Sequence, residues 1–212
     1  MKIQDNLTEL KSSLPEEVSL VAVSKTKPES DLMEVYEVGQ RIFGENKIQE
    51  MVSKWEQLPK DIQWHMIGHV QTNKVKYIAP FVDTIHAVDR IKVLNEIQKQ
   101  AEKNNRTISC LIQICIATED TKFGLAESDL DAMLEAASKC KNVRIKGLMG
   151  MASFTSDTEQ IRAEFKKLAH LYNQHPEFEI LSMGMSGDYP IAIEEGSNMI
   201  RVGSKIFGER NY

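Results

Sequence analysis

Short apolar runs alternate with amphipathic segments along almost the whole chain. The first apolar run, residues 19–24 (SLVAVS), is bounded by turn-forming residues and predicts a buried strand. The segment after it is opened by Pro28 and closed by Gly39, which are residues that typically begin and end a helix. An amphipathic segment over residues 3–14, ended by Pro15, predicts one helix before this first strand.

The same alternation continues to the end of the chain. The further predicted strands share short apolar runs and cover residues 41–43, 62–67, 82–87, 108–116, 143–149, 178–181 and 199–202. The predicted helices between strands cover residues 28–38, 47–57, 73–78, 90–103, 129–140, 158–172 and 190–195. The strand over residues 108–116 is predicted to be the longest. Strands that alternate with helices form parallel βαβ units, and eight such units suggest a closed barrel.

The pattern therefore predicts the α/β fold class, as a single (β/α)8 TIM barrel with an extra N-terminal helix. An open doubly wound sheet is the alternative, because the order of the strands in space is not readable from the pattern. No linker rich in Pro, Gly or Ser interrupts the alternation. We therefore expect residues 1–212 to form one domain.

Charge and composition exclude several classes of function. The net charge of -5 and the scattered basic residues argue against a nucleic-acid-binding surface. No apolar run approaches the roughly 20 residues that a membrane-spanning helix needs, and the polar N-terminus is unlike a signal peptide. The three cysteines are dispersed, which argues against a disulfide framework. We expect a cytoplasmic protein with no membrane partner.

The loops after the last two predicted strands suggest a phosphate site. In a (β/α)8 barrel, functional residues lie at the carboxyl ends of the strands, and phosphate often binds after strands seven and eight. Here those loops are residues 183–188 (MGMSGD) and 203–204 (GS), which are rich in Gly and Ser. Such loops expose backbone N–H groups and add hydroxyl donors. The alternative is that the glycines only form tight turns.

Lys25 directly follows the strongly apolar first strand. An amine in a partly desolvated barrel mouth has a lowered pKa, which suits Schiff-base chemistry. The alternative is an ordinary solvated or ion-paired lysine at a strand end. Lys27 is the competing amine, but it lies in the turn before a proline, and we expect it to point to solvent.

Arg201 ends the last strand, from which its side chain can reach the barrel axis. It could contact a phosphate or the ring nitrogen of a cofactor. The alternative is an ion pair at the end of the barrel, with Glu195 or Glu209 as partner.

Histidines and methionines give weaker signals. His65 and His69 are four residues apart but straddle a strand end, so we expect no metal site there. Four methionines cluster at strand ends: Met149, Met151, Met183 and Met185. Most should fill the core, while Met183 is predicted to contact the ligand.

Eight motifs, in this order and spacing, resemble one known family. They are residues 22–28 (AVSKTKP), 43–46 (FGEN), 64–68 (WHMIG), 71–74 (QTNK), 146–149 (KGLM), 184–188 (GMSGD), 200–203 (IRVG) and 206–210 (IFGER). Together they resemble the YggS/PROSC family of pyridoxal 5'-phosphate (PLP) homeostasis proteins. That family is similar in fold to the N-terminal barrel of alanine racemase, PLP fold type III, without the second domain of that enzyme.

The resemblance implies PLP as the cofactor, held as a Schiff base on Lys25. It places Arg201 near the pyridine nitrogen and Asn46 on the face or edge of the cofactor. The phosphate contacts that it implies are Ser186, Gly203 and Ser204. Many relatives have Thr where Ser204 stands, so the hydroxyl is kept.

Three functions compete for this arrangement. The resemblance favours a monomeric, non-enzymatic carrier that serves PLP homeostasis and delivers the cofactor to apo PLP-dependent enzymes. An amino-acid racemase of the alanine racemase type is the alternative, but racemisation needs a second base opposite the lysine. An arginine at the pyridine nitrogen would also make the ring a weak electron sink. The third function is a barrel aldolase that uses Lys25 without PLP.

Overall fold

A computed structural model describes residues 3–118 and 124–209. The strands, in chain order, are β1 Ser19–Val23, β2 Ile42–Glu45, β3 Gln63–Met66, β4 Thr84–Val88, β5 Ile108–Gln113, β6 Val143–Met149, β7 Ile180–Ser182 and β8 Met199–Val202. The helices are α1 Ile3–Ser12, α2 Glu29–Glu37, α3 Ile48–Gln57, α4 Val75–Ile78, α5 Ile91–Lys103, α6 Leu130–Ser138, α7 Thr158–Asn173, α8 Tyr189–Glu194 and α9 Ser204–Phe207. Single 3₁₀ turns precede α4 and α6, at Thr72–Lys74 and Glu127–Asp129.

The eight strands form one closed barrel in sequential order, β1 to β8. All neighbouring strands are parallel, and β8 closes the barrel by pairing with β1 over Ser19↔Met199 to Ala22↔Val202. Most strand residues are buried, as expected for a parallel barrel covered by helices. The predicted TIM barrel is therefore confirmed, and the open sheet is excluded.

Helix α1 is the predicted addition before the barrel. Its apolar side buries Leu7 and Leu10, and Asn6 Nδ2 donates to the Ile206 carbonyl in α9 at 3.0 Å. Helix α9 follows β8 and was missed by the pattern analysis, because four residues are too few to show a helical period.

Two predicted carboxyl ends of strands, those of β2 and β5, are wrong by more than one residue. The strand predicted to be longest ends at Gln113, because Ile114 forms only an isolated bridge with Leu125. The seven-residue β6 is longer. Strand β2 instead continues past its predicted end at Phe43 to Glu45. The search for apolar runs did not detect this extension, because its two residues are a glycine and a charged glutamate.

No helix within residues 3–118 and 124–209 has both the length and the apolar character to cross a membrane.

Gly147 in β6 lies where a side chain cannot fit. Its φ is +152°, and a Cβ there would lie 1.8 Å from the Ile180 carbonyl oxygen of β7. Close approach of the β6 and β7 backbones therefore requires glycine at this position.

We expect Gly147→Ala to lower the free energy of unfolding by about 3 kcal/mol, since the strand backbone must shift to admit the methyl group. Urea unfolding followed by tryptophan fluorescence measures this loss. The matched control is Gly187→Ala, because a Cβ at Gly187 would meet no atom within 4 Å. Equal stability of the two variants would contradict the predicted steric conflict.

Candidate functional site

A cavity of about 430 Å³ opens at the carboxyl ends of the strands. It falls within the size range of small-molecule sites, roughly 300–1,000 Å³. Its polar lining residues are Lys25, Lys27, Asn46, Ser153, Thr155, Ser186, Asp188, Arg201 and Ser204. Gly203 also lines the cavity, which therefore contains six of the seven residues predicted for the site.

Lys25 lies two residues past the end of β1, at the carboxyl end of the strand. Val23, the last residue of β1, and Lys25 both line the cavity. The intervening Ser24 is fully buried on the other side. Thr26 follows with a φ of +64°, an uncommon conformation for a residue with a side chain, so the turn after Lys25 is tightly constrained.

The prediction that Lys27 points to solvent is wrong. Its ammonium donates to the Phe207 carbonyl at 2.9 Å and to the Glu209 carbonyl at 3.2 Å. Lys27 therefore lines the cavity beside Lys25, and the carbonyls at the end of α9 determine its orientation. Position before a proline did not reveal these acceptors, because they lie about 180 residues further along the chain.

A buried ionic cluster lies behind the Lys25 turn. Lys54 Nζ donates to the Ser24 carbonyl, Glu45 Oε1 and Glu50 Oε1, each at 2.7 Å. Ser24 Oγ donates to Glu45 Oε1 at 2.6 Å, and the Thr26 amide donates to Glu50. These contacts connect the residues on both sides of Lys25 to β2 and α3. The cluster therefore fixes the backbone that carries the amine.

Burial raises the pKa of Glu45 to about 7, although the charge and hydrogen bond of Lys54 act in the opposite direction. One ammonium serves two carboxylates here, and the more deeply buried carboxylate bears the cost of desolvation. Sequence analysis did not identify this cluster, since nothing in the local pattern shows that Lys54 is buried.

Asn46, which the resemblance placed beside the cofactor, follows β2 immediately and lines the cavity. Its backbone lies against Gly68, where a Cβ would be 2.4 Å from the Asn46 carbonyl oxygen. The loops after β2 and β3 are therefore in direct contact beside the cavity.

The loops after β7 and β8 meet at one side of the cavity. The Gly203 amide donates to Ser186 Oγ at 3.2 Å, and the Met185 amide donates to Asp188 Oδ1. A Cβ at Gly203 would lie 3.0 Å from the Val23 carbonyl oxygen, so glycine permits β1 and the β8 loop to approach closely. Ser204, the first residue of α9, adds an exposed hydroxyl.

Arg201 lies beneath these loops and is 3% exposed. Its NH1 donates to Ser182 Oγ at 2.6 Å and its NH2 donates to the Gly150 carbonyl at 3.0 Å. Burial lowers the pKa of Arg201 to about 10, with Asp188 opposing the shift, so the guanidinium stays charged at neutral pH. The alternative ion pair with Glu195 is wrong, because Glu195 pairs with Arg162.

Met183 does not line the cavity with the other predicted residues. It is fully buried in the core, and its backbone carbonyl accepts from Ser197 Oγ at 2.7 Å. Met151 and Met185 line the cavity instead. Met183 falls in the core because the chain turns immediately after β7 at Gly184.

The loop after β6 also contributes residues that the sequence analysis missed. Ser153, Phe154 and Thr155 line the cavity, and the Phe154 ring is 97% exposed at its rim. Glu164 holds the base of this loop by accepting from the Ser153 amide at 2.6 Å. The sequence could have indicated these lining residues, because they follow a barrel strand and every such loop borders the barrel mouth.

The cavity has the chemistry that PLP requires. A primary amine, a guanidinium and a group of hydroxyl and backbone N–H donors lie around one space of suitable size. The contact between Ser186 and Gly203 brings the donors of the loops after β7 and β8 together at the cavity wall. Such a set suits an aldehyde that carries an anionic phosphate and a ring nitrogen.

The chain matches one protein family along nearly its whole length. The family described as alanine racemase, N-terminal domain, matches residues 1–211. Among curated relatives, the pyridoxal phosphate homeostasis protein of Vibrio alginolyticus is 41% identical over 207 residues, covering 93% of this chain and 89% of the relative. The protein of the same name from Aquifex aeolicus is 40% identical, covering 91% and 87%.

Solved structures show the same similarity. PipY of Synechococcus elongatus, solved without PLP, superposes with a TM-score of 0.91 at 36% identity, covering 97% of this chain and all of PipY. PipY with PLP bound gives a TM-score of 0.87. An alanine racemase from Clostridium difficile gives 0.82 at 12% identity and shows the shared barrel alone, since this chain covers 57% of it.

The raised pKa of Glu45 predicts a pH-dependent stability. A folded-state pKa near 7, above the ordinary value of 4.5, stabilises the fold below pH 4.5, and this contribution is lost as pH rises through 7. Between about pH 5 and pH 8 it should remove about 1–3 kcal/mol from the free energy of unfolding.

Urea unfolding of Glu45→Gln at the same two pH values should show a smaller loss than the unsubstituted protein. The matched control is Glu56→Gln, an exposed position on α3, which should keep the original pH dependence. If Glu45→Gln and Glu56→Gln behave alike, Glu45 does not titrate in this range.

Proposed function

The chain belongs to the family of pyridoxal phosphate homeostasis proteins, and on that premise we propose that it binds PLP covalently through Lys25 and serves PLP homeostasis. The observation that carries the proposal is the shared cavity of Lys25, Arg201 and the Ser186–Gly203 contact. PLP, when bound, supplies an aldehyde that a primary amine captures reversibly.

Each end of the site has a distinct role in the proposal. Lys25 Nζ holds the aldehyde carbon, and Asn46 borders the ring. Ser186, Gly203 and Ser204 bind the phosphate through hydroxyl and backbone N–H groups. Arg201 is a donor without acceptor capacity, so it faces an unprotonated ring nitrogen. Met183 is omitted from this set because it lies in the core.

We propose a carrier rather than an enzyme. Racemisation needs a base on each face of the substrate carbon, and Lys25 provides one of them. Tyr189, the tyrosine that follows β7 most closely, is not among the described lining residues, and its ring instead contacts Lys205 Nζ at 4.8 Å. An open mouth also suits a protein that must release its cofactor to apo PLP-dependent enzymes.

We further propose that this one barrel acts in the cytoplasm as a monomeric, single-domain protein. The thiols of Cys110, Cys115 and Cys140 suit a reducing compartment. The barrel carries its own amine, guanidinium and phosphate loops, so a second copy is not needed to assemble the proposed set.

Lys25→Ala should abolish the visible absorbance that added PLP gains on attachment to the protein, because it removes the amine proposed to capture the aldehyde. Lys27→Ala is the matched control: it removes a neighbouring amine that is already held by two carbonyls. Absorbance spectra after PLP addition measure both. Loss in Lys27→Ala with retention in Lys25→Ala would assign the attachment to Lys27.

Ser204→Ala should weaken PLP binding only about twofold to tenfold, since one neutral hydrogen bond contributes about 0.5–1.5 kcal/mol. Ser204→Asp should weaken it by roughly tenfold or more, because its carboxylate repels the phosphate at close range. Fluorescence titration with PLP measures both affinities. The control is Ser30→Asp, which adds the same charge at an exposed position on α2. An unchanged affinity for PLP in Ser204→Asp would show that the phosphate binds elsewhere.

The PLP-loaded protein should not racemise amino acids at rates approaching the roughly 1–1,000 per second of typical enzymes. Mixing it with L- and D-amino acids and following optical rotation tests this. The same preparation should reactivate an apo PLP-dependent enzyme. Rapid racemisation that is lost in Lys25→Ala would support the racemase function instead. If the apo-enzyme is not reactivated, the protein stores PLP but does not deliver it.

A further inference from the structure

Four polar side chains cross the interior of the barrel below the cavity. Arg201 NH1 donates to Ser182 Oγ at 2.6 Å, and Ser182 Oγ lies 3.1 Å from His86 Nδ1. His86 Nε2 lies 2.8 Å from His65 Nδ1. At the far end, His65 Nε2 is 3.4 Å from Asp83 Oδ1, a charge contact longer than a strong hydrogen bond. We call these five residues the polar ladder.

The polar ladder must run through the barrel and not along its wall. Ser182 belongs to β7 and His86 to β4, and these strands are not neighbours in the barrel. Their side chains can therefore meet only across the interior. Barrel interiors are usually filled by Val, Ile and Leu, and buried polar groups are costly unless each finds a partner. The four crossing side chains satisfy one another in sequence.

Chemistry at the two ends gives the ladder one direction. Arginine only donates hydrogen bonds, so the Ser182 oxygen accepts from Arg201 and its hydroxyl proton is available to His86 Nδ1. An ionised Asp83 only accepts, so it favours a proton on His65 Nε2 and leaves His65 Nδ1 as an acceptor. His86 Nε2 then donates to His65 Nδ1. Every bond points from Arg201 toward Asp83.

We propose that the polar ladder is a single directed hydrogen-bond chain with two neutral Nε2–H imidazoles, in which Ser182 and His86 are positioning residues that hold the Arg201 guanidinium beneath the cavity. The part of this inference that concerns a cofactor rests on the proposed function. The tautomers and the direction of the chain do not.

The surroundings of His86 agree with a neutral ring. Complete burial lowers its pKa well below the ordinary range, and the charge of Arg201 lowers it further. A protonated His86 would have no acceptor nitrogen, and Ser182 would have to turn its hydroxyl away. At the open end, hydrogen bonds from His65 and Thr84 hold the pKa of Asp83 below its usual value, which keeps it an acceptor.

The ladder and the Gly150 carbonyl together fix the plane of the guanidinium. Ser182 Oγ accepts a hydrogen bond from NH1 of Arg201, and the Gly150 carbonyl accepts one from NH2. The Arg201 side chain also lines the cavity. The remaining N–H groups can then face the space above with little freedom to rotate. Preorganisation of this kind improves binding without an additional contact.

The tautomers are tested directly on the unsubstituted protein without PLP. Long-range ¹⁵N–¹H correlation spectra of the imidazoles at neutral pH should show Nε2 protonated and Nδ1 bare in both His65 and His86. A proton on His86 Nδ1, or a doubly protonated ring at either position, would reverse or break the chain and overturn the proposal. This result does not depend on cofactor binding.

The positioning role is tested by Ser182→Ala, with Ser197→Ala as the matched control. Ser197 is also buried, but its hydroxyl donates among the Leu181, Met183 and Met199 carbonyls, nearest to Met183 at 2.7 Å, and not to the ladder. Ser182→Ala should weaken PLP binding roughly threefold to tenfold, the effect of one lost hydrogen bond, and shift the absorbance maximum of bound PLP.

Ser182→Thr keeps the hydroxyl and should restore the absorbance maximum, whereas Ser197→Ala should leave it unchanged. Equal spectra and affinities for Ser182→Ala and Ser197→Ala would overturn the positioning role. If the unsubstituted protein binds no PLP, the proposed function fails, and the imidazole spectra alone decide whether the ladder exists.

Discussion

The pairing of β1 with β8 is the contact on which the site depends. These strands lie near opposite ends of the chain, and their parallel register places Val21 beside Arg201. Closure therefore brings the Lys25 turn against the loop at Gly203, where a Cβ would lie 3.0 Å from the Val23 carbonyl oxygen. An open sheet would separate the amine from the phosphate loops. Barrel closure thus assembles the site before any ligand is present.

Much of this arrangement could be predicted from sequence, because it follows from local patterns. Alternating apolar runs and amphipathic segments predicted the strands and helices, and the number of strands favoured a closed barrel. Position at a strand end then selected Lys25 and Arg201, and the resemblance added Asn46; all three line the cavity. The same argument did not hold for Met183, because the backbone turns directly after β7 and the Met183 side chain remains in the core.

The polar contacts between distant strands could not be predicted in this way. Lys54 and Glu45 look like ordinary charged residues, yet both are buried and paired. His86 lies within β4, as predicted, but the pattern did not show that its side chain reaches across to β7. Such contacts depend on which side chains meet inside the closed barrel. Binary patterning specifies the barrel, whereas these contacts determine how Arg201 and the Lys25 turn are held.

The central claim is that the amine of Lys25, and not another lysine, captures PLP. The most direct measurement is borohydride reduction of the PLP-treated protein, followed by proteolysis and mass spectrometry of the modified peptides. At equimolar PLP the account predicts one dominant adduct, on Lys25. An adduct on Lys27, or modification spread over exposed lysines such as Lys139 and Lys205, would contradict it.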